Sequence, residues 1–206
     1  MLKERKVLLI SGDVSSLVVD AICEQAVGRN ATVAYFYFDF AAHNAQSPAE
    51  ILVSILQQVI AGLDLVPETI VKAFRDRSKV SSHSRLAPSE IVEFLHDISS
   101  SRHTYICMDA LDECREKQRV ELLYSLDQIL RGSPSTRIFL TGRPHTRTEV
   151  ENYFVGRLAT ISITPTEGDI IIFLRAKLGK DTMPDAMDES LEEEIIRGIL
   201  RTVSDR

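Results

Sequence analysis

The sequence predicts an α/β fold, a three-layer domain around a mainly parallel five-stranded sheet, followed by the start of a helical subdomain. Two observations predict this. Short, wholly apolar runs alternate with stretches whose apolar residues recur at helical spacing. With 44% hydrophobic and 26% charged residues in 206, the chain can also bury a real core.

The elements follow in order. Val7–Ser11 is a fully apolar run ending at Gly12, the pattern of a buried parallel strand. Leu17, Val18, Ala21, Ile22 and Ala26 give a helix over 15–26, which Gly28 and Asn30 end. Thr32–Phe40 is β-branched and aromatic, a second strand. Ser47, Pro48 and Glu50 announce a helix through an N-cap, a first-turn proline and a capping-box acid, and Ile51, Leu52, Ile55, Leu56 and Ile60 form its apolar face. A helical stretch over 67–74 leads to a polar loop over 75–84, then a helix over 88–98. Thr104–Met108 is the third strand, 117–130 a helix, Arg137–Leu140 the fourth strand and Ala159–Ile163 the fifth. Thr166 caps a helix over 167–178, and an acidic helix begins near Glu189. Strand alternation gives way to helices near 164–166, which divides the chain into a nucleotide-binding α/β domain over 1–164 and a helical subdomain beginning at 165–206.

Composition narrows the function. Acidic residues outnumber basic ones 30 to 24, a formal charge of −6, which argues against a broad nucleic-acid-binding face. The apolar run after basic Met1–Lys6 is too short for a signal-peptide core, and no stretch approaches membrane-spanning length. A cytoplasmic protein with reduced Cys23, Cys107 and Cys114 is expected. The five histidines have no ligand spacing. Arg75, Arg77 and Lys79 read as a solvated loop, and the aromatic run 35–40 as core.

The chemistry is concentrated at two strand ends. In TYICMDALDE (104–113), an apolar strand delivers Asp109 to its carboxyl end, where open α/β sheets bind ligands. A carboxylate there can hold Mg²⁺ through water, and Asp112 and Glu113 could polarise a water for attack on a phosphoryl group. The alternative is an acidic cluster stabilising the N-terminus of the next helix. In RIFLTGRP (137–144), a second buried strand ends in Thr141 and Arg143, one βαβ unit from the first. Arg143 could contact a γ-phosphate; the alternative is an arginine packed over a strand end or paired with Asp109.

MDALDE, with a small residue after the first Asp and a second acidic pair, resembles the Walker B element of the NACHT group of STAND NTPases, closest to fungal proteins with nephrocystin-like N-terminal NTPase modules. YFYFDF, RIFLTGRP and ITPTEGDIIIFLRAKL resemble that family in order and spacing over nearly the whole chain. The resemblance implies a P-loop NTPase-like fold that uses ATP or ADP with Mg²⁺. It makes Asp109 the Mg²⁺ residue, Asp112 and Glu113 the hydrolysis acids, and Arg143 the nucleotide-state sensor, with Thr141 and Gly12 beside the nucleotide. It further implies a switch between closed ADP and open ATP forms, with protein partners or self-association through the core; from charge and hydropathy, neither nucleic acid nor membrane is expected as a partner.

One departure is large. The first strand should run into Gly-x-x-x-x-Gly-Lys-[Ser/Thr], yet LLISGDVSSLVVDAI (8–22) leaves only Asp13 between Gly12 and the following helix. The missing loop would supply backbone N–H groups, a lysine and a hydroxyl to the phosphates. Charge-assisted hydrogen bonds contribute roughly 1.5–3 kcal/mol each. Losing three or four removes on the order of 6 kcal/mol from the roughly 8 of micromolar binding. Asp13 adds a negative charge where triphosphate would sit. The adenine-enclosing segment and winged helix of the family also lie outside these 206 residues. The expectation is a family core that has lost ATP binding and hydrolysis; a non-catalytic interaction or scaffold module derived from that fold is the alternative, and an unrelated doubly wound domain a third.

Overall fold

The computed structural model describes residues 6–11, 15–39, 47–80, 86–163, 166–179 and 189–204. The chain divides into two compact units, Met1–Ser162 and Ile163–Arg206.

In the first unit, five parallel strands form one sheet: β1 (Val7–Ser11), β2 (Ala31–Tyr37), β3 (His103–Asp109), β4 (Thr136–Thr141) and β5 (Leu158–Ser162), in the order β2-β3-β4-β1-β5. β1 therefore lies between β4 and β5, and the chain leaves it for the far edge of the sheet. Such a switch of direction opens a crevice at the carboxyl ends of the strands.

Alternation along each strand divides the side chains between two faces. Leu9, Ala34, Ile106, Met108, Ile138 and Leu140 join α2 (Pro48–Ala61), α4 (Pro88–Ser99) and α5 (Glu116–Gly132) in one large core. Ile55, Leu95 and Leu126 are fully buried there. The other face gathers a small cluster of Ile10, Cys107 and Phe139 with Val19 of α1 (Ser15–Ala26). The helices start where the sequence says: Ser47 accepts the Glu50 N–H at 3.3 Å and Glu50 accepts the Ser47 N–H at 3.1 Å, closing a capping box on α2. At the open edge of β2, the Gln58 amide of α2 accepts the Tyr35 N–H at 3.0 Å and donates to the Tyr35 carbonyl at 2.9 Å.

Three elements differ from expectation. α3 runs from Glu68 to Val80, so helix continues through much of the expected polar loop; a polar exposed face does not stop a helix. β2 ends at Tyr37, level with Asp109 of β3, and Phe38 donates its N–H to the Asp109 carbonyl at 3.1 Å; Phe40 lies outside the described residues. A short helix, α6 (Arg147–Tyr153), follows β4 where no helix was expected. It is pinned by Glu149, which accepts from Arg119 Nε of α5 at 2.6 Å.

In the second unit, α7 (Glu167–Leu178) is closed by a Thr166–Asp169 capping box. Thr166 holds the Asp169 carboxyl below its ordinary value. Arg175 of α7 pairs with Glu192 of α8 (Glu189–Ser204) at 3.4 Å.

Candidate functional site

Adjacent β3 and β4 bring five sequence-predicted residues, Asp109, Asp112, Glu113, Thr141 and Arg143, to one sheet edge. Asp109 and Thr141 are the last residues of their strands, and the Thr141 hydroxyl donates to Asp109 Oδ1. The same hydroxyl oxygen accepts the N–H of Ala110 at 2.9 Å. Ala110 is left-handed, with φ 55° and ψ 46°, and it is the positive-φ non-glycine among the described residues. A non-glycine there costs of order 1–3 kcal/mol, held by surrounding structure and concentrated at functional sites. The turn it makes throws Leu111–Glu113 into one turn of 3₁₀ helix, with Leu111 fully buried as its anchor.

That turn meets the end of β4. Asp112 Oδ1 accepts the Arg143 N–H at 3.1 Å, and Arg143 Nε lies 3.3 Å from Asp112 Oδ2. An Arg143 guanidinium nitrogen also lies 3.6 Å from Glu113. Arg143 therefore pairs with the second acidic pair rather than with Asp109. Its side chain is 72% exposed while that of Asp112 is 7% exposed, so water screens the pair on the arginine side only. Gly142 permits the approach: a Cβ there would sit 3.0 Å from Thr146 Oγ1 and 3.4 Å from Asp112 Oδ1. Its N–H donates to the Ile10 carbonyl at 3.1 Å, tying this turn to β1.

The acids do not cap the next helix. The N-cap of α5 is Arg115, which makes no side-chain cap bond. Beside Asp109 in register, Tyr37 has its hydroxyl pKa raised, first by burial and then by the Asp109 and Asp20 carboxylates. Among the described residues no cluster of three His, Cys, Asp or Glu side chains could hold a metal alone, so Asp109 could take a cation only with water or ligand oxygens completing the shell. Gly12 and Asp13 lie outside the described residues. Sequence reasoning passed over Gly142 and Thr146, although TGR already placed a glycine between two polar strand-end residues.

The profile of the nephrocystin 3 N-terminal family matches residues 4–143, from the lead into β1 to Arg143 itself. The chain belongs to this family. No curated protein matches the chain. Among solved structures, the Aeropyrum pernix ORC1 protein in complex with DNA is similar, with a TM-score of 0.56 and 18% identity over 86% of this chain and 44% of that one. Drosophila ORC bound to AT-rich DNA and Cdc6 gives a TM-score of 0.48 and 12% identity over 94% and 69%. The Walker-type ATPase of Pyrococcus abyssi gives a TM-score of 0.46 and 13% identity over 93% and 58%. This family member thus has the α/β fold of an ORC1-type protein, with a parallel five-stranded sheet, and spans under half the length of that relative.

One expectation is corrected by these likenesses. The partners read from the sequence were protein domains or self-association without nucleic acid, and the exclusion of nucleic acid rested on the net charge of −6. The fold occurs in a protein in complex with DNA. Whole-chain charge averages over the surface, whereas phosphate contact depends on a local patch. No helix among the described residues is long and apolar enough to cross a membrane.

Proposed function

We propose that this chain is the nucleotide-binding core of a NACHT-type signalling NTPase in which ATP binding and hydrolysis have been lost with the Walker A loop. One observation carries the reading: Asp109, Thr141, Asp112, Glu113 and Arg143 gather at the carboxyl ends of β3 and β4, while only residues 12–14 separate β1 from α1. In this reading Asp109 is the Mg²⁺ residue acting through water, oriented by Thr141, and Asp112 and Glu113 are the hydrolysis acids. Arg143 is the nucleotide sensor, parked on those acids. Residues 1–164 form the nucleotide-binding domain and 165–206 begin the helical subdomain.

The residues present do not fit a triphosphate. Three residues cannot wrap it with backbone N–H groups, and the sequence has no Gly-Lys-[Ser/Thr] to supply the lysine and hydroxyl. Both acids are also already paired to Arg143. No hydrolytic step is derived for this chain.

The test is a titration with a fluorescent ATP analogue and Mg²⁺, beside a variant carrying a Gly-Lys-Ser-type loop inserted after Asp13. Binding by the repaired variant alone is expected. Micromolar binding by the chain as it stands would overturn the loss. Failure of both folded proteins to bind would overturn the site. Duplex DNA is titrated in parallel at two salt concentrations, because a protein of this fold is found in complex with DNA; binding through phosphates weakens steeply with salt.

A further inference from the structure

The turn from α1 into β2 fixes Arg29 beside the start of β3. Gly28 takes a left-handed φ of 72°, and the Arg29 N–H donates to the Ala26 carbonyl at 3.0 Å. The Asn30 amide donates to the Ser101 carbonyl at 2.9 Å, and Arg102 donates to Asn30 Oδ1 through Nε and Nη2, both at 3.0 Å. The His103 N–H donates to the Asn30 carbonyl at 3.0 Å, and Ala31 of β2 is level with His103 of β3. Among the described residues neither Arg29 nor Arg102 has a carboxylate partner, in a chain whose net charge is −6.

Under the last turns of α1, this turn closes one side of a cavity of about 200 Å³. Ile22, Ala26 and Ala31, all half-buried, give it an apolar floor, and Gln25, Arg29, His103 and Tyr105 supply its polar groups. All seven lie well inside the described stretches 15–39 and 86–163. Each of the four polar side chains carries an N–H or O–H donor, and among the described residues none of the four has a hydrogen-bond partner. The described lining holds no carboxylate.

An apolar pocket with a few convergent polar groups is the usual form of a small-molecule site. Unspent donors around a permanently charged guanidinium select an anion, and a planar carboxylate matches the guanidinium fork. The carbonyl end of α1 opposes an anion here, with about half a charge against the full charge of Arg29. A cavity of about 150 Å³ suffices for benzene, so about 200 Å³ takes one ring with its carboxylate and no long chain. We propose that this cavity binds a single-ring aromatic carboxylate, its carboxylate at Arg29 and His103 and its ring on Ile22, Ala26 and Ala31. His103 and Asp109 are the opposite ends of β3, so the site is independent of the nucleotide reading and stands or falls separately.

Benzoate is titrated calorimetrically into the full chain, with benzamide as the uncharged ring and acetate as the carboxylate without a ring. Saturable one-to-one binding of benzoate with a Kd below about 1 mM is expected, and at least tenfold weaker binding of the other two. Arg29→Gln should weaken benzoate at least tenfold, to the level of benzamide, and Ala26→Phe, which fills the cavity, should abolish binding. Circular dichroism checks that each variant folds; should Ala26→Phe fail to fold, Ala31→Leu takes its place. No saturable heat with the unmodified chain, an affinity for benzamide or acetate equal to that for benzoate, benzoate binding untouched by Arg29→Gln, or binding that survives a folded cavity-filling variant would overturn the proposal.

Discussion

On one face of the sheet, α2, α4 and α5 help seal 28 buried hydrophobic residues into a single cluster among the described residues, whereas on the other face the described residues give four, Ile10, Val19, Cys107 and Phe139. Apolar burial stabilises in proportion to area and without direction, so the crowded face carries most of the fold's stability. The sparse face is free to change. It is the face on which the loop before α1 is short and the cavity remains, and both can exist without unfolding the sheet.

Core truncation separates the faces most sharply. Ile55→Ala, in the middle of α2 and fully buried, should destabilise by about 2–5 kcal/mol. Val19→Ala on α1 should cost only about 1.5 kcal/mol, the transfer of two methyl groups. Urea midpoints measure both, and equal losses would break the comparison. Adding a methyl tests the same contrast from the other side. A Cβ at Gly132 would lie 2.4–2.7 Å from the His96 ring, whose Nε2 donates to the Gln128 carbonyl at 3.0 Å. Gly132→Ala should therefore cost about 1–3 kcal/mol, while Ala159→Val, level with Leu8 on the sparse face, should stay within about 0.5 kcal/mol; thermal melts decide.

The thiols report on both faces. Burial pushes Cys107 up to about 12 and Cys114 up to about 11 from an ordinary 9.0. In the unfolded chain both ionise near pH 9, so between pH 9 and 11 the folded state holds more protons. Stability should fall as pH rises through that window, by about 1.4 kcal/mol per pH unit for each thiol. Urea midpoints of Cys107→Ala and Cys114→Ala against pH should each show roughly half the slope. Among the losses, a small one is expected for Ser47→Ala, which removes a cap on the crowded side at about 1 kcal/mol, read from the same denaturation curves.

Strands and their chemistry were legible because each strand is a closed apolar run that ends abruptly in a polar residue, as at Met108–Asp109 and Leu140–Thr141. The helix ends were legible where caps are local, as at Ser47 and Thr166. What was hidden depends on contacts distant in sequence. The pairing of Arg143 with Asp112 and Glu113 needs the order in which β3 and β4 lie. The left-handed turn at Ala110 is stabilised by Thr141, 31 residues away. α6 is only seven residues long, too short to show a period, and its anchor Arg119 lies 30 residues upstream. The cavity was invisible because its lining joins the end of α1 to the start of β3, far apart in sequence.

The Gln58 amide has a consequence beyond its two hydrogen bonds. β2 is an outermost strand, rich in tyrosine and phenylalanine, and such a strand is a template for a second chain to extend the sheet. By occupying both backbone groups of Tyr35, Gln58 breaks the row of donors and acceptors that a foreign strand would read. A single side chain thus guards against aggregation at the point where the sheet is most sticky.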